Sequence, residues 1–423
     1  MAPGLRLSEA PVEEVRGGFL DDKLVSGDAR VGRAVARLFE VAARTEPNDV
    51  SALVEVVCDV VGCRTGRLFV ADYGLRRLQE VVSAGQVDDA TLIEGTLAGR
   101  AFADCRIIES DSEPKVLWVP LIEGTERIGM LELTFDVWEE GDAQEGALSH
   151  LVARVVDVFV LLLLTRRRYT DLWDRCRRSQ PLSGAAEVQW DLLPPLACST
   201  EEVAVSGILE PAYEIGGDSF DYALNQRRLD FAIVDAVGHG MSAVLISAAA
   251  INSMRNVRRE GGDLSAAYRQ ADQLIRDHFG QSCFVTGQLG TLDLQTGVLT
   301  WINAGHPLPM LVRNGTYAGE LQCAPSVPIG LDGPVVEVAT EVLQRGDRVL
   351  FYTDGITESK SANGAFFGNE RLADFLVRSS HDHVPVAETT RRLSAAVVAY
   401  VGQGLKDDAT LFLIEYRGQA SCQ

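Results

Sequence analysis

The stretch from Leu229 to Met241, LDFAIVDAVGHGM, constrains this chain more than any other. An apolar run of β type ends on a carboxylate, Asp235, and turns through Gly238 and Gly240. Residues 242–250 then read as a buried helix. A strand ending on Asp, with glycine-freed backbone after it, presents a carboxylate at the rim of a sheet. A tight turn with an Asp cap satisfies the same pattern, so one such motif leaves both readings open.

The construction recurs. EIGGDSFDY at 214–222 sets Asp218 and Asp221 beside a glycine pair, and DRVLFYTDGITE at 347–358 runs a strand into Asp354. KDDAT at 406–410 places Asp407 and Asp408 before a terminal strand, and WINAGHPLP at 301–309 adds a turn with His306. Carboxylates bunched without a cation repel one another and bind protons more tightly. A hard divalent metal is the economical remedy, because Asp oxygens without His or Cys partners suit Mg²⁺ or Mn²⁺. Two such ions, about 3.5–4 Å apart and sharing a carboxylate, can ready a water for in-line attack at phosphorus.

At 423 residues the chain exceeds one ordinary core, so two domains with a linker are expected. A net charge of −21 speaks against nucleic acid, which needs a basic stripe, and against anionic membranes. Most of that acidity serves solubility; part of it fits a carboxylate cluster that takes cations. The eight cysteines form no CxxC pair, which reads as a reduced, cytoplasmic chain. No signal peptide is expected, since Glu9, Glu13 and Glu14 occupy the N-terminal stretch.

Four zones follow. Residues 1–27 read as a flexible tail. Residues 28–150 read as α+β: Val50, Leu53, Val54, Val57, Cys58 and Val61 mark one face of a helix opened by Asn48 or Asp49. Strands are expected at 67–71, 78–83, 116–121 and 128–134, with a turn at 123–125. This order, and the closing pair VPLIEGTERIGMLELTF, resembles a GAF domain, a small sensor module with a ligand pocket on one face of its sheet. Trp118, Trp138 and Tyr73 are candidates for lining that pocket, with core packing as the alternative.

Residues 151–192 read as a helical linker. Leu151, Val155, Val158, Leu162, Thr165, Tyr169 and Leu172 follow a heptad seam, which predicts a coiled-coil homodimer. The apolar run 155–164 covers only about ten residues, short of the ~20 that span a bilayer, and includes Asp157. No membrane span is expected.

Residues 193–418 carry the chemistry. GGDSFDY, DAVGHGM, NAGHPLP, TDGITES and DDATL, in that order, closely resemble the metal-dependent PPM (protein phosphatase 2C) superfamily, in its bacterial branch of sporulation and stress-regulator serine phosphatases. The resemblance implies an α-β-β-α sandwich with a metal cluster at one edge. Asp235 would touch both ions, with the Ala236 carbonyl as a further ligand. Asp354 and Asp407 would complete one ion and Asp218 would hold the other. Asp408 and Asp221 are ligands or hydrogen-bond acceptors behind them. His239 and His306 are candidate proton donors to the leaving serine oxygen, each with loop ordering as its alternative.

The implied activity is hydrolysis of phosphoserine on a phosphorylated anti-anti-sigma-type protein by two Mn²⁺ or Mg²⁺ ions, under control of the N-terminal sensor and its ligand. No fused kinase is expected after the last strand. The competing readings are a nuclease using the same ions, which the acidity disfavours, and a scaffold that binds a phosphoprotein without hydrolysing it.

Overall fold

The computed structural model describes residues 22–82, 90–111, 113–136, 145–211, 213, 216–280, 282–402, 405 and 407–418. The chain opens with α1 (Asp22–Arg44), α2 (Ser51–Val61), β1 (Thr65–Ala71), β2 (Arg77–Glu80), β3 (Ala90–Leu92), α3 (Leu97–Asp104), β4 (Ile108–Glu109), β5 (Lys115–Glu123) and β6 (Glu126–Phe135). Helices α4 (Glu145–Arg167), α5 (Leu172–Arg177) and α6 (Gly184–Leu192) lead to β7 (Ala197–Ser199), β8 (Val203–Glu210), β9 (Asp218–Asn225) and β10 (Arg228–Ala236). Then come α7 (Met241–Arg259), α8 (Leu264–Phe279), β11 (Val285–Asp293), β12 (Val298–Ala304), β13 (Met310–Arg313), β14 (Thr316–Glu320), β15 (Ala339–Val342), β16 (Arg348–Tyr352), α9 (Asp354–Thr357), α10 (Gly368–His381), α11 (Val386–Val401) and β17 (Ala409–Tyr416).

The first sheet is antiparallel, in the order β3-β2-β1-β6-β5-β4. Strand alternation divides its residues. Leu68, Val70, Leu131 and Leu133 face α1, α2 and α4, whereas Phe69, Ala71 and Met130 face α3. The helix expected from Val50 onward is α2; the Asp49 carboxylate accepts the Ala52 N–H at 3.3 Å. Residues 1–21 of the expected tail lie outside the described residues, and α1 begins within its remainder, at Asp22.

The heptad stretch behaves differently from the coiled-coil expectation. Leu151, Val155 and Leu162 are buried in the chain's own core against α1, α2 and the first sheet, while Thr165 and Tyr169 are exposed. The period marks an apolar face, and an intramolecular sheet covers it here. The helix also exceeds the apolar length counted from sequence. Residues Leu148–Arg167 are long and apolar enough to cross a bilayer, yet much of that stretch is buried inside the protein. It packs as a core helix.

The remaining strands form two facing antiparallel sheets, β15-β12-β11-β10-β9 and β14-β13-β16-β17-β8-β7. Phe231 packs on Phe351 and Phe412, with ring centroids 4.7 and 5.7 Å apart, and Phe220 packs on Phe412 at 5.8 Å. Helices α7 and α8 cover the outer face of one sheet through Ala232, Val234 and Ala236. Helices α10 and α11 cover the other. The result is a four-layer α-β-β-α sandwich.

The α3 face of the first sheet shares its apolar interior with this sandwich. Polar locks seal the junction. Arg127 on β6 pairs with Glu388 on α11 at 2.6 Å, both buried, and Arg391 and Arg392 close on the same carboxylate at 2.7 Å. Arg76 reaches Glu210 at 2.6 Å. Tyr73, at the turn after β1, packs on Trp190 with ring centroids 4.6 Å apart, and Trp118 packs on Phe69. Core and junction packing is therefore the role of both; Trp138 lies outside the described residues.

Candidate functional site

Period-two alternation brings the acids together. On β10, Leu229, Phe231 and Ile233 point between the sheets, so Asp235 extends that row past the end of the apolar core. On β9, Phe220 and Tyr222 face the same interior and place Asp218 at its end, directly across from Asp235 in register. On the opposite sheet, Phe412 and Phe351 fix the parity that turns Asp408, Thr410 and Thr353 toward the same opening. Asp354 starts α9 just beyond β16, and Asp407 precedes β17.

Asp218 is 1% exposed and joins the two sheets. The Thr353 and Thr410 hydroxyls donate to its Oδ2 at 2.7 and 2.8 Å. Gln189 of α6 donates to its backbone carbonyl at 2.5 Å. Asp408 accepts the Gly216 and Asp218 N–H groups at 2.9 and 3.5 Å. Two glycines permit these approaches. A Cβ on Gly217 would overlap the Ala236 carbonyl oxygen, and one on Gly355 would overlap that of Asp408.

The electrostatics are those of crowded anions. Burial, and then the charges of Asp235 and Asp408, push the Asp218 carboxyl well above the usual range against its two hydroxyl donors. Burial with the charges of Asp354, Asp407 and Asp408 pushes Asp235 up to about 7. Asp408 rises to about 6 through burial, despite its backbone donors. Asp354 is raised by burial and by Asp407.

Among the described residues, no Lys or Arg forms an ion pair with any of these acids. Nor do three acid, histidine or cysteine side chains close into a ready chelate there. The donor set is oxygen throughout, which fits a hard divalent cation.

A cleft of about 500 Å³ lies at this opening, lined by Asp407, Asp408, Gly238, His239, Met241 and the first residues of α6, among others. His239 is exposed and lines it. His306 does not line that cleft. It is 6% exposed, its Nδ1 lies 3.2 Å from the Thr286 hydroxyl, and its backbone is clasped by Asn303 on both sides. Burial holds its imidazole down to about 3, so it is neutral. These contacts are those of a turn-ordering imidazole. Asp221 is spoken for: Arg255 and Arg258 pair with it at 2.7 and 2.8 Å.

Sequence reasoning missed Thr353, Thr410, Gln189 and the Asp221 arginines. The two threonines stood inside the quoted motifs TDGITES and DDATL, which was the available signal; Gln189 had none.

A paired-sheet sandwich with acids gathered at one end of its interior is the architecture of PP2C-type phosphatase domains. Residues 225–417 match the family described as Stage II sporulation protein E (SpoIIE). Phosphoserine phosphatase RsbU of Bacillus subtilis (strain 168) is 23% identical over 233 residues, covering 54% of this chain and 68% of that protein. Protein IcfG of Synechocystis sp. is 21% identical over 265 residues, covering 56% of this chain and 41% of its own length. The chain thus spans less than half of one of these relatives and about two thirds of the other. Among solved structures, the RsbU and RsbW domains of Rv1364c from Mycobacterium tuberculosis align with a TM-score of 0.46 at 25% identity, over 52% of this chain and 62% of that one.

Proposed function

We propose that the chain is a Mn²⁺- or Mg²⁺-dependent phosphatase that hydrolyses phosphoserine or phosphothreonine on a regulatory protein. The observation that carries this reading is the meeting of Asp218, Asp235, Asp354, Asp407 and Asp408 at one opening without a cationic side chain among the described residues. Asp235 would touch both ions, with the Ala236 carbonyl as a further ligand; Asp354 and Asp407 would complete one ion and Asp218 would hold the other, with Asp408 beside them. Two ions held there would supply charge for the phosphoryl oxygens and an activated water for in-line attack.

The chain's own groups do the rest. Thr353 and Thr410 fix the Asp218 carboxylate, and backbone N–H groups of Gly216 and Asp218 fix Asp408. His239, on the cleft wall, gives its proton to the departing serine oxygen. RsbU carries the name phosphoserine phosphatase, which supports a phosphoserine substrate; the protein bearing it would be of anti-anti-sigma type, met in the cytoplasm. The test is release of phosphate from a phosphoserine peptide with Mn²⁺ and its loss on chelation. Ions that bind only the folded chain also raise its stability, by ~2.7 kcal/mol at a hundredfold excess over Kd, read by urea unfolding with and without Mn²⁺.

The same reading assigns residues 28–150 to a GAF-like sensor that takes a small ligand or protein, in a homodimer. The route to the site is Tyr213, which sits just before the Gly216-Gly217-Asp218 loop. Its hydroxyl lies 2.6 Å from the Ser179 hydroxyl and 3.3 Å from Asp72 at the turn after β1, and its carbonyl accepts the Ser183 N–H at 3.1 Å. Tyr213→Phe is expected to lose about 0.5–1.5 kcal/mol of stability and to uncouple turnover from any ligand of the sensor. Unchanged urea midpoints and unchanged ligand response would remove Tyr213 from that route.

A further inference from the structure

The lip of the cleft carries apolar side chains that the fold leaves uncovered. Helix α6 lies along α7: a Cβ on Gly184 would meet Met241 Cε at 3.5 Å, and Arg255 donates to the Leu192 carbonyl at 2.8 Å at the other end. On the solvent side of this pair, Val188, Met241 and Leu245 are 36%, 44% and 48% exposed. Their neighbours Ala243, Val244 and Ile246 are buried. Met241 lines the cleft itself, and Leu245 stands one turn further out, about 6 Å along α7.

We propose that this stripe docks the apolar residues flanking the phosphoserine of the protein substrate. The inference rests on the phosphatase reading and adds what the substrate must look like. A cleft of about 500 Å³ has room for the phosphorylated side chain, and Met241 on its wall continues into the exposed face of α7. In an extended peptide, a residue two positions from the serine lies about 7 Å away, comparable to the ~6 Å along α7 from Met241, on the cleft wall, to Leu245. Charge cannot supply the affinity, because a chain of net charge −21 repels a phosphorylated partner. Burial of apolar surface can.

The test uses the full chain, Mn²⁺, and two phosphoserine nonapeptides that differ only in carrying Leu or Gln two residues to either side of the phosphoserine. p-Nitrophenyl phosphate serves as the probe of the cleft alone. The wild type is expected to favour the Leu peptide about tenfold in kcat/KM. Val188→Glu and Leu245→Glu, both at exposed positions outside the cleft lining, are expected to erase that preference and to keep p-nitrophenyl phosphate hydrolysis. Equal rates on the two peptides in the wild type, or a preference that survives both substitutions, would overturn the proposal.

If nothing is turned over, the phosphatase reading fails by itself. Docking is then read from fluorescence anisotropy of the labelled Leu peptide. Binding lost in Leu245→Glu upholds the stripe, and binding equal to wild type refutes it. A Leu245→Glu chain that changes from dimer to monomer with its peptide preference intact makes the stripe a self-association face, which also refutes the proposal.

Discussion

Asp235→Asn is expected to lower phosphoserine hydrolysis by more than about 100-fold while the fold remains. Residues that merely orient a metal ligand change affinity or activity by about 10–100-fold when replaced, and Asp235 stands where it would touch both ions. It faces Asp218 across the β9–β10 ladder and feels the charges of Asp354, Asp407 and Asp408. Asparagine keeps the shape and removes the charge. In the metal-free protein, this relieves repulsion among the remaining carboxylates, so the variant should be at least as stable as wild type without Mn²⁺. The comparison needs phosphate release and urea unfolding, each with and without Mn²⁺. A variant that retains wild-type turnover would end the two-ion assignment.

The second large effect lies far from the cleft. Glu388 is 2% exposed and holds Arg127 from the first sheet together with Arg391 and Arg392. Burial alone would push its carboxyl up, but hydrogen bonds and charge from Arg391 and Arg127 outweigh this and hold it down at about 2. Glu388→Gln leaves buried guanidinium groups without a counter-charge, a change that costs about 3–5 kcal/mol. The depressed value also fixes the pH dependence. The carboxylate's contribution is complete above the ordinary glutamate value of about 4.3 and is lost as pH falls toward 2. Wild type should therefore lose stability across that window, and Glu388→Gln should lose less. Replacing Arg127 and Glu388 together by Met should recover only part of the loss, because the buried Arg391 is then left with the exposed Glu94 as its counter-charge. Equal urea midpoints for wild type and Glu388→Gln would show that the junction is held by its apolar contacts alone.

The acidic end was legible because its pattern is written locally. An apolar strand that stops at Asp and turns through Gly states both a direction and a carboxylate, and the structure collects Asp218, Asp235, Asp354, Asp407 and Asp408 at one opening. What was not legible depends on partners distant in sequence. Asp221 belongs to the same motif as Asp218, yet its neighbours are Arg255 and Arg258 on α7, and no local pattern announces them. The spacing of Leu151, Val155 and Leu162 identified an apolar face correctly but left open what lies against it. The NAGHPLP turn looked catalytic because it carries a histidine among turn residues, whereas Asn303 and Thr286 use His306 to shape the turn.

The side chain of Asp218 springs from one sheet and is gripped by threonines of the other. A sliding of one layer over its neighbour by even an ångström would drag this acid out of line before any strand came apart. The proposed activity should accordingly fall silent ahead of global melting, and a half-opened molecule would be inert rather than indiscriminate. For a chain proposed to edit phosphate marks on other proteins, that is a built-in safeguard.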